Sequence, residues 1–476
     1  MTAETASTEE SDTPLKRVLG PKLLLLFIVG DILGTGIYAL VGDVAAEVGG
    51  AAWVPFLIAF AVAFVTAFSY LELVTKYPQA AGAALYVHKA FGIHFLTFMV
   101  AFTVMCSGIT SASTASRAFA SNLASGLNID EPSSGMIIGV ALGFMLLVAA
   151  INMRGVAESV GANVVLTLIE LSGLLMVILI GFYAIVGGNA DWSQVIAFDT
   201  AEDKSTFLAV TGATSLAFFA MVGFEDSVNM AEECKEPSRI FPKIMLTGLS
   251  ITAIIYVLVS IAAVALVPVG DLSNPDLDPP LVQVVAAGAP QIPADAILPF
   301  ISMFAVANSA LINMMMASRL LYGLARQGVL PPVLAKVLPG RKTPYVSIIF
   351  TTVVSFGLII YVSSASSNAV SILGGTTSLL LLAVFAVVNV AVLVLRKDKV
   401  EHSHFTTWTG AALVGALACA FLVTPVSGRD PQQYLVAGGL LLLGVLLSIP
   451  MYLYRRSKGI GPGPDDPSEI PPHMIP

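Results

Sequence analysis

The sequence predicts an all-α integral membrane fold of twelve transmembrane helices, and three observations carry that prediction. Of its 476 residues, 56% are hydrophobic and 11% charged, whereas roughly a quarter of residues are charged in soluble domains. The apolar residues gather into twelve runs, each near the roughly 20 residues that cross a bilayer. Glycines and acids interrupt the first and sixth runs, and paired interruptions of this kind mark an inverted repeat around a midplane binding site.

In chain order the runs lie at about 22–46, 52–75, 92–122, 134–154, 160–187, 207–230, 240–267, 294–320, 344–362, 368–395, 406–424 and 432–454. The third is long enough to tilt. Residues 1–21 and 456–476 are polar, acidic or Pro-rich without periodicity, which predicts disordered tails. Lys16, Arg17 and Lys22 precede the first run as they would a signal peptide, but the run exceeds the roughly 7–15 residues of an h-region. Cys106, Cys234 and Cys419 are scattered and odd in number, so they suggest neither a disulfide nor a metal set. The five histidines fall near run ends or in the C-terminal tail, and no cofactor is expected. The net charge of -8 gathers in tails and loops with no block of Lys and Arg, which argues against a nucleic-acid partner. The expected partners are the lipid bilayer and a small ligand, and the sequence leaves the oligomeric state open.

Orientation follows the cations, because short cytoplasmic loops hold the excess of Lys and Arg. One set of connections carries Lys76, Lys89, Arg154, Lys235, Arg239, Lys243, Arg326, Lys336, Arg341, Lys342, Arg396, Lys397 and Lys399. The alternate set has Lys204 and Arg429 as its loop cations and collects Asp43, Glu47, Asp130, Glu131, Asp191, Asp271, Asp276 and Asp278. Both termini are therefore expected in the cytoplasm of a cell whose plasma membrane holds the protein.

The interruption in the first run reads Gly30-Asp31-Ile32-Leu33-Gly34-Thr35-Gly36-Ile37-Tyr38, and that in the sixth Phe218-Phe219-Ala220-Met221-Val222-Gly223-Phe224-Glu225-Asp226. Backbone groups freed in hydrocarbon are tolerated only where they are buried in protein or line a polar cavity. A glycine serving helix packing is the other reading: Gly30 and Gly34 are spaced as a GxxxG, and so are Gly135, Gly139 and Gly143, where packing is the expectation. At 1.5 Å per residue Gly34 lies roughly 18 Å from Lys22 and Phe219 roughly 18 Å from Phe207. Glu170 and Asn308 fall at similar depth, near the middle of a core roughly 30 Å thick. Free N–H groups at Thr35, Gly36 and Ile37 suit a carboxylate. Carbonyls near Leu33 and at Phe219 and Ala220 suit an ammonium group or a cation. An amino acid carries both groups.

These residues resemble a known family. Gly34-Thr35-Gly36-Ile37, Tyr70-Leu71-Glu72-Leu73, and Tyr77-Pro78-Gln79-Ala80-Ala81-Gly82-Ala83-Ala84-Leu85-Tyr86 are followed by Gly223-Phe224-Glu225 and Ala231-Glu232-Glu233-Cys234-Lys235-Glu236-Pro237-Ser238-Arg239. Arg319-Leu320-Leu321-Tyr322-Gly323-Leu324-Ala325-Arg326-Gln327-Gly328-Val329-Leu330-Pro331 and Thr343-Pro344 complete the pattern. Together they are similar to the amino acid permeases of the amino acid, polyamine and organocation (APC) superfamily. The resemblance implies a five-plus-five inverted repeat, with repeats over 22–188 and 205–396 and two further helices over 405–455. It implies that the amides of Gly34, Thr35 and Gly36 hold the substrate carboxylate. Phe219 would then be the aromatic gate, with Ala220, Val222 and Gly223 beside it, and Asn313 would line the side-chain pocket. Glu225 matches the acid two past the family's glycine, which makes it a further coupling candidate.

Coupling is where the chain departs from its relatives. Proton-coupled relatives have a lysine in the fifth run where Thr167-Leu168-Ile169-Glu170 places a carboxylate. In sodium-coupled cousins the matching ligands would be the carbonyls of Gly30, Leu33 and Ala305 with Asn308 and Ser309. A carboxyl at the membrane midplane is a functional candidate by default, so Glu170 is the expected proton carrier, with a structural hydrogen bond or a sodium site as alternatives. Asp31 is a second candidate, or a cap on the broken helix. Glu72, Glu232, Glu233 and Arg239 are expected at the cytoplasmic face as gate-closing pairs or solvated charge.

Other classes fare worse. Gly34-x-Gly36-x-x-Ala39 matches a dinucleotide fingerprint only formally, because that motif needs a strand before it, and no HExxH, Walker A or GxSxG is present. The expectation is therefore a secondary active amino acid transporter and not an enzyme, working by alternating access with proton symport. Exchange, sodium symport and a non-transporting sensor on the same fold are the alternatives.

Overall fold

Hydrocarbon offers no water to an open backbone, so a spanning chain must bond within itself, and this one does so as helices. A computed structural model describes residues 20–79, 82–129, 132–154, 159–188, 190–200, 204–274, 277–326, 330–338, 341, 343–366 and 368–457. The helices in order are α1 (Pro21–Val48), α2 (Trp53–Lys76), α3 (Gly82–Phe91), α4 (His94–Gly126), α5 (Ser134–Arg154), α6 (Ser159–Val186), α7 (Trp192–Val195) and α8 (Thr206–Ala217). They continue as α9 (Pro237–Leu266), α10 (Val269–Leu272), α11 (Pro280–Gly288), α12 (Ala294–Arg326), α13 (Tyr345–Ala365), α14 (Ala369–Leu395), α15 (Thr409–Val423) and α16 (Pro431–Ser457). Nearly all of both expected tails, together with Asp130, Glu131, Asp276 and Lys342, lies outside the described residues.

Among the described residues, eleven helical stretches are long and apolar enough to cross a membrane; the sixth runs through its interruption from Thr206 to Asn229. The eleventh expected run, 406–424, shrinks to the 15 residues of α15. That is roughly 22 Å of helix, short of a core roughly 30 Å thick. Its start is held extended at Trp408 (φ -69, ψ 136), where the Thr407 N–H donates to Glu72 Oε2 at 2.7 Å.

α1 runs through the middle of the bundle against α6, α8, α9 and α12, and α4 lies along α12. Gly108 permits the second approach, since a Cβ there would stand 3.0 Å from the Asn313 carbonyl oxygen. The short α3 did not emerge from the hydropathy pattern. Its ten residues are too few to span, and it is held by burying Leu85, Tyr86 and Val87 among α4 and α14.

One expectation is corrected here. Gly135, Gly139 and Gly143 do not pack a neighbouring helix: a Cβ on any of them would meet nothing within 4 Å, because α5 lies on the outside of the bundle and turns this stripe away from its neighbours. On the face bearing α2's C-terminus, Glu72, one of the charges expected there, finds a partner that the sequence did not name. Buried Glu72 meets Arg396 at 3.1 Å, while Arg239 pairs with exposed Glu236 at 3.5 Å. Tertiary folding brings the end of α14 to α2, which spacing along the chain does not reveal. Lys76 Nζ adds bonds to the carbonyls of Leu395 (2.7 Å) and Asp398 (2.5 Å), and the Tyr77 hydroxyl donates to the Asp398 carboxylate. The side chains of Glu232 and Glu233 lie outside the described residues.

Candidate functional site

α1 begins at Pro21, whose missing N–H costs nothing in a first turn. It loses helical geometry at Gly34 (φ -23, ψ -138) and resumes beyond it. The glycines around this break admit close neighbours: a Cβ on Gly30 would fall 1.9 Å from Thr167 Oγ1, and one on Gly34 1.8 Å from Ser309 Oγ. The partner break starts where α8 tightens into a 3-10 turn over Phe218–Met221, and Val222 is extended (ψ 144). Gly223 follows at φ +124, a region only glycine enters readily. A second 3-10 segment covers Asp226–Glu233. The two breaks touch, because a Cβ on Gly223 would lie 2.9 Å from the Asp31 carbonyl carbon.

Between them lies a small cavity of about 20 Å³. Of the residues expected to bind substrate, Thr35, Gly36, Phe219, Val222, Gly223 and Asn313 line it, and so do Asp31 and Ser309. Gly34 stands behind Ser309. Ile37 is fully buried in the apolar core, and Ala220 forms the wall by backing directly onto Gly36. Ile32, Ser111 and Asp226 also line the cavity and were not anticipated. Asp226 stood next to Glu225 in the interrupted stretch, and its direction into the cavity depends on the backbone reversal at Gly223.

The expected carbonyl acceptors are partly occupied. The Ile32 carbonyl accepts the Tyr256 hydroxyl at 2.5 Å, and the Phe219 carbonyl accepts the Val222 N–H at 3.3 Å. Tyr256, deep in α9, was missed; a lone tyrosine hydroxyl inside an apolar span was the available signal, since such a group must find a partner. Glu225 is turned to the backbone, its Oε2 accepting the Gly223 N–H at 2.9 Å.

A second group of polar residues stands behind α1. Glu170 is 0% exposed, and neither carboxyl oxygen has a hydrogen-bond partner among the described residues. Its backbone carbonyl accepts the Tyr38 hydroxyl at 2.9 Å. Asn308 Oδ1 accepts from Asn163 Nδ2 at 3.2 Å, which leaves Asn308 Nδ2 without a partner. Leu33 and Ala305 are fully buried, and Thr167 Oγ1, against Gly30, is also without a partner. Native proteins pair almost all buried polar atoms, so this concentration of open ones among the described residues makes the group a candidate site.

The amino acid permease family profile matches residues 19–442. The chain is 27% identical to a methylthioribose transporter of Bacillus subtilis over 84% of this chain and 85% of that protein. It is 26% identical to a branched-chain amino acid permease of the same organism over 93% and 94%. To a cationic amino acid transporter of Arabidopsis thaliana it is 28% identical, over 71% of this chain and 60% of the relative. The broken, touching spans around a buried polar cavity are thus set in a match that covers nearly the whole chain, and the chain belongs to the amino acid permease family.

Proposed function

We propose that this permease moves its amino acid by proton-coupled symport, with Glu170 carrying the proton, across a plasma membrane that leaves both termini in the cytoplasm. The observation that carries the coupling is the Glu170 carboxyl, wholly buried with both oxygens unpartnered among the described residues. An ionised carboxylate so placed costs several kcal/mol or more, so the group is suited to hold a proton and to release it only when the surrounding helices move. Tyr38 ties the backbone of Glu170 to the resumed half of α1, whose amides face the substrate. Closure over substrate and the environment of Glu170 are thereby linked through one helix. The cation-rich ends of α2, α14 and their neighbours support the orientation.

The test is uptake into sodium-free proteoliposomes with and without an inward proton gradient. Accumulation that needs the gradient and is lost in Glu170→Gln supports the reading. Gradient-driven uptake that survives Glu170→Gln removes Glu170 as carrier, and accumulation only with sodium, or only against preloaded amino acid, replaces symport by sodium coupling or exchange.

A further inference from the structure

The two helices that follow the repeats reach the break in the sixth span. Their connection turns at Gly428 (φ +83), a conformation that suits glycine, and it lies against α8: a Cβ on Gly212 would stand 2.9 Å from the Gly428 carbonyl oxygen. The turn delivers Arg429, a loop cation by sequence, into the protein, where it is 6% exposed. Its Nε donates to the Leu422 carbonyl at 2.6 Å, and Nη1 donates to the Gly375 carbonyl at 3.0 Å and to Gln433 Oε1 at 2.9 Å. Nη2 donates to Ser378 Oγ at 3.0 Å. Ser378 in turn donates to the Ser215 carbonyl at 2.5 Å, in the last turn of α8, where carbonyls lose their helical partners. Arg429 pairs with no Asp or Glu among the described residues, so its planar fork spends its donors on fixing α14, α15 and α16 in one geometry. Adjacent glycines continue the path. A Cβ on Gly375 would fall 2.1 Å from Gln433 Nε2, and one on Gly374 would fall 3.5 Å from the Phe219 ring. α14 therefore meets the start of α16 at one glycine and Phe219 at the one before it.

We propose that Arg429 is a positioning residue for transport: by bracing α14 and, through Ser378, the end of α8, it holds Phe219 over the cavity, so that α15 and α16 set how readily the sixth span opens. This rests on Phe219 being the gate. The bonds act in series, because losing Arg429 releases Ser378 and losing Ser378 releases the Ser215 carbonyl on the half-helix that leads into Phe219. A buried bond whose donor is charged is among the stronger ones, and a buried guanidinium without a counter-charge is a costly way to fill space. An apolar side chain would pack the same site but could not hold α14 and α8 in register.

The test is the rate at which a small charged methanethiosulfonate modifies Ser111→Cys in the purified full-length protein. Ser111 lines the cavity, and the native Cys106, Cys234 and Cys419 are buried, so protein without Ser111→Cys gives the background. Arg429→Gln and Ser378→Ala are each expected to raise the rate about tenfold, the worth of a charge-assisted bond. The double variant should be no faster than the faster single one, because both cut the same link. Arg429→Gln that lowers the denaturation midpoint yet leaves the modification rate unchanged overturns the proposal and leaves a purely structural bond. So does Ser378→Ala at the parent rate, which decides the matter even if Arg429→Gln does not fold. Phe219→Ala at the parent rate would instead overturn the gate reading on which the proposal rests.

Discussion

A Cβ on Gly36 would stand 2.4 Å from the Ala220 Cα, so the two interrupted spans meet backbone to backbone at the wall of the cavity. That contact leaves no space for a side chain at position 36. It also makes the position of one break depend on the other.

Gly36→Ala is therefore expected to force the breaks apart, at about 1–3 kcal/mol of overpacking, and to lower initial uptake by about tenfold or more in proteoliposomes. Gly139→Ala is the matched control. Its new methyl group meets nothing within 4 Å, so uptake should stay at the wild-type rate; equal loss in both variants would mean that the effect is not steric.

Tyr256→Phe removes only the hydroxyl that bonds the Ile32 carbonyl. The carbonyl sits just before the helical geometry fails at Gly34, where no turn of helix can replace the bond. The expected loss is about 1–3 kcal/mol of stability, read as a lower denaturation midpoint in detergent. An unchanged midpoint would show that this hydroxyl does not hold the end of the half-helix.

Glu72 and Arg396 form a pair whose acid is 2% exposed and whose base is 24% exposed. Glu72→Gln removes the negative charge and one of the two oxygens that accept from Arg396 and the Thr407 N–H, so a loss of about 1–3 kcal/mol is expected, below that of a fully buried pair because Arg396 reaches solvent. Arg396→Met alone should cost a similar amount, and the double variant less than the sum. Additive losses in a denaturation cycle would refute a direct interaction.

Much of the site was legible because its determinants are local. Three glycines and an aspartate inside an apolar run at Gly30–Gly36 cannot continue a membrane helix without a compensating cavity, and the same holds at Gly223. The roles of Ile37 and Ala220 were less legible, since whether a residue near a break faces the cavity or backs it depends on the dihedral angles through the break. Asp226 remained hidden for the same reason. Tyr256 and Asn163 come from other helices, and their partners Ile32 and Asn308 lie 224 and 145 residues away. The glycines of α5 show the converse, a packing spacing that meets no neighbour within 4 Å among the described residues.

By itself the sequence determined that the chain spans a membrane many times, which spans are broken, and that the breaks suit a carboxylate and an amine. Composition, run length and backbone chemistry act within a few residues of one another, so they can be read in order. Only the tertiary structure decided that Asp31 and Asp226 share a cavity, that Glu72 is held by Arg396, and that the Glu170 carboxyl is buried without a partner among the described residues. Those facts depend on which helices lie side by side, and that is set by packing of surfaces far apart in the chain.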